Sequence, residues 1–185
     1  MDGPFYHDTR EPFVTVSPAA VTLAATAKAL YTASQFPVLG GQYWARVGKK
    51  ICIELFGVTT TGITPGNGSF NVYYGSGADA TGVLLMTGTP VALTASQTAL
   101  TWTARLFVEC ITTGSVGTLR CTGEASFNPA VLGASLQPIM LPTATAAVSG
   151  ACDLTAANII SVQYLRSGST AETMQVIRME VTALN

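Results

Sequence analysis

The chain has 185 residues, with nine basic and ten acidic side chains, a formal net charge of -1 and a pI near 5.7. Charged residues make up 10% of it, against about 25% in ordinary soluble domains, while apolar residues reach 48% and mean hydropathy is +0.40. There is no basic stripe, which argues against nucleic acid as a partner, and no apolar run nears the roughly 20 residues of a membrane-spanning helix, which argues against a membrane.

This length fits one domain that buries enough surface to fold without a metal or a disulfide. The low charge implies a surface of Thr, Ser, Ala and Gly, much of it covered by other subunits. The four cysteines, Cys52, Cys110, Cys121 and Cys152, form no CxxC. They are expected as free, buried thiols made in a reducing cytoplasm, with a Cys110–Cys121 bridge across a hairpin as the lesser alternative.

Residues 1–17 carry Asp2, Asp8, Arg10 and Glu11, together with Pro4, Pro12 and the exposed-looking Phe5, Tyr6 and Phe13; Pro18 follows. Prolines at this density oppose both helix and interior strand, so the segment reads as an extended arm ahead of a domain over 18–185. Such an arm is either a disordered terminus or one whose aromatics, Phe5, Tyr6 and Phe13, dock on a neighbour. The segment has neither the basic nor the apolar region of a secretory signal. Ala19 to Leu30 mixes helix-favouring alanines with apolar and Thr alternation, and reads as a strand.

An irregular crossing from Tyr31 to Trp44 precedes the most strongly β-prone stretch. Ile51 to Thr60 and Ser69 to Tyr74 flank the loop Thr64-Pro65-Gly66-Asn67-Gly68 and read as a long β-hairpin. Both faces of the first run are largely apolar, as in a strand covered on both sides, so Glu54 needs a partner or a wet edge. Val83 to Met86 is a short strand. Leu100 to Thr112 is the longest, with Trp102, Ala104, Leu106, Val108 and Cys110 on one face. A turn at 113–117 returns the chain along Thr118 to Ala125, which places Arg105, Glu109, Arg120 and Glu124 in a cross-strand charge ladder. Gln137 to Leu141 reads as a short edge strand, and Asn158 to Leu165 as a strand. Thr173 to Ala183 closes the fold, with Ile177, Met179 and Val181 on one face and Arg178 and Glu180 on the other. About eight strands without a helix define an all-β, two-sheet antiparallel sandwich of jelly-roll type.

Catalytic chemistry is poorly represented. The single histidine, His7, sits in the arm, where a base is hard to hold in geometry, and it has no metal-ligand spacing to any cysteine. Glu109 and Glu124 form a conceivable carboxylate pair for glycoside hydrolysis, but Arg105 and Arg120 are their simpler partners. Asp79 in GSGADA is one carboxylate where calcium needs 6–8 oxygens. The glycine-rich loops open no helix and carry no Lys, so they do not cradle phosphate. Trp44 and Tyr73 or Tyr74 beside Gly75 to Ala80 form a conceivable sugar platform, whereas Trp102 belongs to a core face. The expectation is a protein without enzymatic activity, cofactor or metal.

The order ALYTASQFPVLGGQYWARVGKKICIELFGVTTTG, a PGNG loop and FNVYYGSGADATG, followed by the strands Trp102 to Cys110 and Met179 to Asn185, resembles a group of tailed-bacteriophage virion proteins. The resemblance covers roughly residues 30–185 and lies in composition and strand order. It implies a jelly-roll capsid decoration or minor structural protein, often a homotrimer, seated on the lattice of the major capsid protein. It places the chain on the virion surface after synthesis in the host's cytoplasm. Related sandwiches occur in tail and fibre proteins, so a carbohydrate- or receptor-binding module that engages a surface glycan is the alternative. The resemblance brings no catalytic residues with it.

Overall fold

The computed structural model describes residues 13–15, 21–22, 28–39, 41–77, 82–132, 138–142, 148–168 and 172–184. Its longest strand, β8 (Leu100–Thr112), buries every second residue from Trp102 to Cys110 and leaves the alternate ones partly or fully in water. That period of two is the pleat expressed as burial. On one side β8 pairs antiparallel with β9 (Thr118–Phe127), on the other with β4 (Lys50–Thr60). Beyond β4 lies β12 (Thr173–Leu184), whose far side takes β1 (Phe13–Thr15) and β2 (Val21–Thr22). Beyond β9 lies β10 (Ile139–Leu141), which completes a seven-stranded sheet.

The second sheet has five strands in the order β3 (Lys28–Ala29), β11 (Ile159–Arg166), β5 (Asn67–Gly75) and β6 (Val83–Thr87), with β7 (Val91–Ala92) also on β5. All pairings are antiparallel, and the two sheets stack as a β-sandwich. The first long strand pairs with the last (β4 with β12) and the second with the penultimate (β5 with β11). This nesting is the jelly-roll relationship. Among the described residues there are twelve strands rather than eight, because short edge pieces such as β2, β3 and β7 lie below the length that alternation reveals. Helical structure among the described residues is limited to a 3₁₀ turn, Ala33–Gln35, and one α-helical turn, Pro129–Leu132.

The expected hairpin of Ile51–Thr60 with Ser69–Tyr74 is not one. Both runs are strands, but β4 belongs to the larger sheet and β5 to the smaller. The link between them is tied to other segments: Thr61 N–H to Gln97 O, Ser96 N–H to Gly62 O, and Leu93 N–H to Gly66 O. Crossing between sheets lets the inward faces of β4 (Ile51, Ile53, Leu55) and β5 (Phe70, Val72, Tyr74) meet in one core, which side-by-side pairing would not. Nor is β4 covered on both sides, since Phe56 on its outer face is 37% exposed.

An aromatic cluster joins the sheets. Phe70 of β5 lies 5.7 Å from Trp102 of β8 and 4.9 Å from Tyr164 of β11, and Phe127 of β9 packs 6.4 Å from both Trp102 and Tyr164. The Tyr31–Trp44 crossing closes one end of the sandwich with buried Tyr31, Phe36, Leu39 and Trp44, while Val38 stays exposed. Tyr31 also caps a strand edge: its hydroxyl accepts from Val162 N–H (3.0 Å) and donates to Ile160 O (2.9 Å), continuing along β11 where β3 stops. At one end the β4–β5 link meets the β11–β12 turn. Asn67 and Ser167 exchange hydrogen bonds there, and Gly66 adopts a left-handed φ of 68° so close to Gly168 that a side chain would strike its backbone.

Strand β12 departs from simple alternation. Its register against β4 slips between Val176 and Arg178, a β-bulge that leaves Ile177 41% exposed while Val176 and Met179 are buried. The expectation that Ile177 shares a face with Met179 and Val181 therefore fails by one residue. All four cysteines are free and buried. Cys110 lies opposite Leu119 and Cys121 opposite Val108, so no cross-hairpin bridge is set up. Burial pushes the Cys121 thiol up to about 12.

Candidate interaction face

The outer face of the larger sheet is a grid that can be read from register and parity. One row across it runs Glu180 (β12), Glu54 (β4), Arg105 (β8), Glu124 (β9), Met140 (β10). The next row toward one end is Arg178, Phe56, Thr103, Ser126. Toward the other end come Thr182, Cys52, Phe107, Thr122, and then Leu184, Lys50, Glu109, Arg120.

This face holds four bases (Lys50, Arg105, Arg120, Arg178) and four acids (Glu54, Glu109, Glu124, Glu180), out of nine and ten in the whole chain. It is thus formally neutral and strongly charged at once. The remaining charged groups among the described residues are Lys28, Arg46, Lys49, Asp153 and the buried pair Arg166–Glu172. Exposed apolar side chains occur on this face, at Phe56 and Met140, and elsewhere, including Val38, Val47, Ile63, Leu84 and Val116.

The expected charge ladder exists, with Arg105 opposite Glu124 and Glu109 opposite Arg120. Its closest ion pairs, however, run toward β4: Arg105 Nε to Glu54 Oε1 at 2.8 Å and Lys50 Nζ to Glu109 Oε1 at 3.3 Å. Glu54 thereby gains the partner its position demanded. The Arg105 guanidinium also lies over the Phe107 ring, 5.3 Å from its centroid, and bonds the Cys52 thiol, which raises its already high pKa further. Burial raises the Cys52 thiol, and the Arg105 bond partly offsets this.

Between the two central rows is a shallow depression of about 250 Å³. The short side chains of Thr103 and Ser126 form its floor, Phe56 and Arg178 one wall, and Arg105, Glu54 and Glu124 the other. Sequence reading missed it. The available signal was parity: Phe56 falls on the same face as Glu54, which marks it as an outward aromatic.

The other predicted site residues are distributed as follows. Phe5, Tyr6, His7 and Asp79 lie outside the described residues. Phe13 lies in β1, where its backbone pairs with Val181 of β12, so that part of the arm adds a strand to the domain's own sheet. Trp44 and Tyr74 do come together, edge to face at 6.4 Å, but inside the core, where they are 1% and 2% exposed. They form no sugar platform, and burial pushes the Tyr74 hydroxyl up to about 12. Glu109 and Glu124 do not face each other: they lie two same-face rows apart, roughly 13 Å along the strands, and each stands opposite an arginine. Among the described residues no three His, Cys, Asp or Glu side chains group as metal ligands.

No protein-family model matches the chain, and no curated protein matches it. Among solved structures it is similar to a legume lectin-like domain from Entamoeba histolytica, at 8% identity and a TM-score of 0.32, over 93% of this chain and 89% of that one. A likeness that slight carries no argument about function.

Proposed function

We propose that this protein is a non-enzymatic structural protein that works as an oligomer, and specifically a homotrimeric decoration protein on the capsid of a tailed bacteriophage. The observation that carries the assembly half is the segregation of charge. Interface cores are depleted of charged residues, whereas water-facing surfaces are not. Here eight of the fourteen charged residues described lie on the outer face of one sheet, while Val38, Ile63, Leu84 and Val116 stand exposed elsewhere. Closed symmetry would cover such a surface and leave the charged face in water. The virion half rests on the sequence resemblance. A decoration protein stabilises a shell by binding its assembled state, which is mass action and needs no catalytic group.

Light scattering tests the first half. The expected native mass is three times the 19.2 kDa of one chain; a monomer at working concentration overturns it. Co-sedimentation with bare capsids of the matching phage tests the second half, with saturable binding expected and none refuting it.

One observation favours a second reading, a glycan- or receptor-binding module. The depression beside Phe56 lies on the face that assembly would leave open.

A further inference from the structure

We propose that the depression beside Phe56 is a binding site for a neutral hexopyranose ring. This rests on the second of the two functional readings and is independent of the oligomeric one.

The geometry follows from the register. Neighbouring strands lie about 4.8 Å apart, and same-face side chains about 6.8 Å apart along a strand. Thr103 on β8 and Ser126 on β9 are short neighbours in one row, so they leave a trough roughly 10 Å across between taller side chains. Phe56 stands directly beside Thr103 on β4 and is 37% exposed, which gives the trough an apolar wall. The adjoining wall is the ion pair Glu54–Arg105, flanked by Glu124, in the next same-face row.

A pyranose combines an apolar C–H face with adjacent hydroxyls that each donate and accept. Phe56 suits the first. Glu54 and Arg105 suit the second, because a carboxylate acceptor and a guanidinium with donors beyond the one held by Glu54 stand side by side. Few polar groups beside an aromatic wall is the ordinary make-up of a small-ligand site. Arg105 is also held in place, by Glu54, by the Cys52 thiol and by the Phe107 ring beneath it, so ordering it on binding costs little. The lining carries two carboxylates against two guanidinium groups, and Glu180 adds a third carboxylate in the same row. An anionic sugar therefore gains nothing here, and the site selects a neutral ring.

The test is a ¹⁵N chemical-shift titration of the full chain with methyl α-mannoside, methyl β-glucoside, methyl β-galactoside and methyl β-glucuronide. At least one neutral glycoside is expected to shift the amides of Phe56, Thr103, Arg105 and Ser126 at concentrations where the glucuronide does not. Phe56→Ala should weaken that binding about tenfold, the loss of one good aromatic contact. Thr103→Trp, which fills the floor, should abolish it. Both positions are on the surface, so both variants should keep the wild-type thermal midpoint. The proposal is overturned by silence from all the neutral glycosides, by tighter binding of the glucuronide, or by shifts that survive both substitutions. None of these results alters the native mass, so the site can fail while the oligomeric reading stands.

Discussion

Arg105 on β8 and Glu54 on β4 are directly opposite each other across two central strands of the larger sheet, Nε to Oε1 2.8 Å, with side chains 54% and 40% exposed. Arg105 also stands opposite Glu124 on its other side, and Glu180 lies beyond Glu54 in the same row. One guanidinium thus stands between two carboxylates, paired with Glu54 and beside Glu124, and the row stays in register because the sheet holds it.

Exposure limits what that pair contributes. A double-mutant cycle with Arg105→Ala and Glu54→Gln should give a coupling energy under about 1 kcal/mol, shrinking further in high salt. The single Arg105→Ala change should cost more than Glu54→Gln, because it also strips the cover from Cys52 and the Phe107 ring. Equal single-mutant costs would mean that the arginine acts only as a charge. Urea unfolding of the four proteins measures both quantities.

The bulge in β12 makes a sharp contrast between near neighbours. Ile177→Thr is expected to change stability by no more than about 0.5 kcal/mol, as for other exposed positions. Met179→Ala, two residues on but buried at 1% exposure, should cost about 2–5 kcal/mol. Without the bulge both would lie on one face and both changes would be severe. Chemical denaturation of the two variants therefore reads the register directly.

How far the sequence foretold this arrangement depended on the range of the interaction. The limits of β8 and the β8–β9 pairing were legible because only a five-residue turn at 113–117 parts the two strands and the alternation from Trp102 to Cys110 is unbroken; the exact register was not, because a bulge between Cys110 and Thr112 shifts it. The same logic misled for β4 and β5: nearness in sequence implied a hairpin, while burial of both inward faces favoured a crossing between sheets. Ile177 was misplaced because a bulge inserts one residue without any mark in the local pattern. The charge ladder was visible, but its tightest pair was not, since Glu54 meets Arg105 only through the long-range β4–β8 pairing. The Phe56 depression was hidden for the same reason, as its walls and floor come from four strands.

Gly57 on β4 sits where β12 and Trp102 close in. A Cβ there would overlap the Gln175 carbonyl oxygen and press on the Trp102 ring. Gly57→Ala should therefore cost at least about 1–3 kcal/mol, measured by thermal or urea unfolding. Adding Trp102→Phe should not restore stability, because the nearest obstacle is backbone that cannot swing away. Recovery in the double variant would show that the ring alone sets the constraint.

Glu172 makes the pH dependence of stability readable. Its side chain is 1% exposed, and Arg166 Nε, itself in a side chain only 8% exposed, lies 3.8 Å away, too far for a good hydrogen bond. Burial raises the Glu172 carboxyl above its ordinary value, and Arg166 pulls it down by less. An acid whose pKa is raised by folding holds its proton more tightly in the folded chain. Its contribution to stability is therefore fully present below the unfolded value of 4.5 and is lost as pH rises through the higher folded value. Glutamine mimics the protonated carboxyl at every pH. The thermal midpoints of the wild type and Glu172→Gln should accordingly converge in acid and separate toward neutrality, with the glutamine variant the more stable. A wild type that is the more stable at pH 7 would reverse the assignment, and would mean that the attraction of Arg166 outweighs the cost of taking the carboxylate out of water.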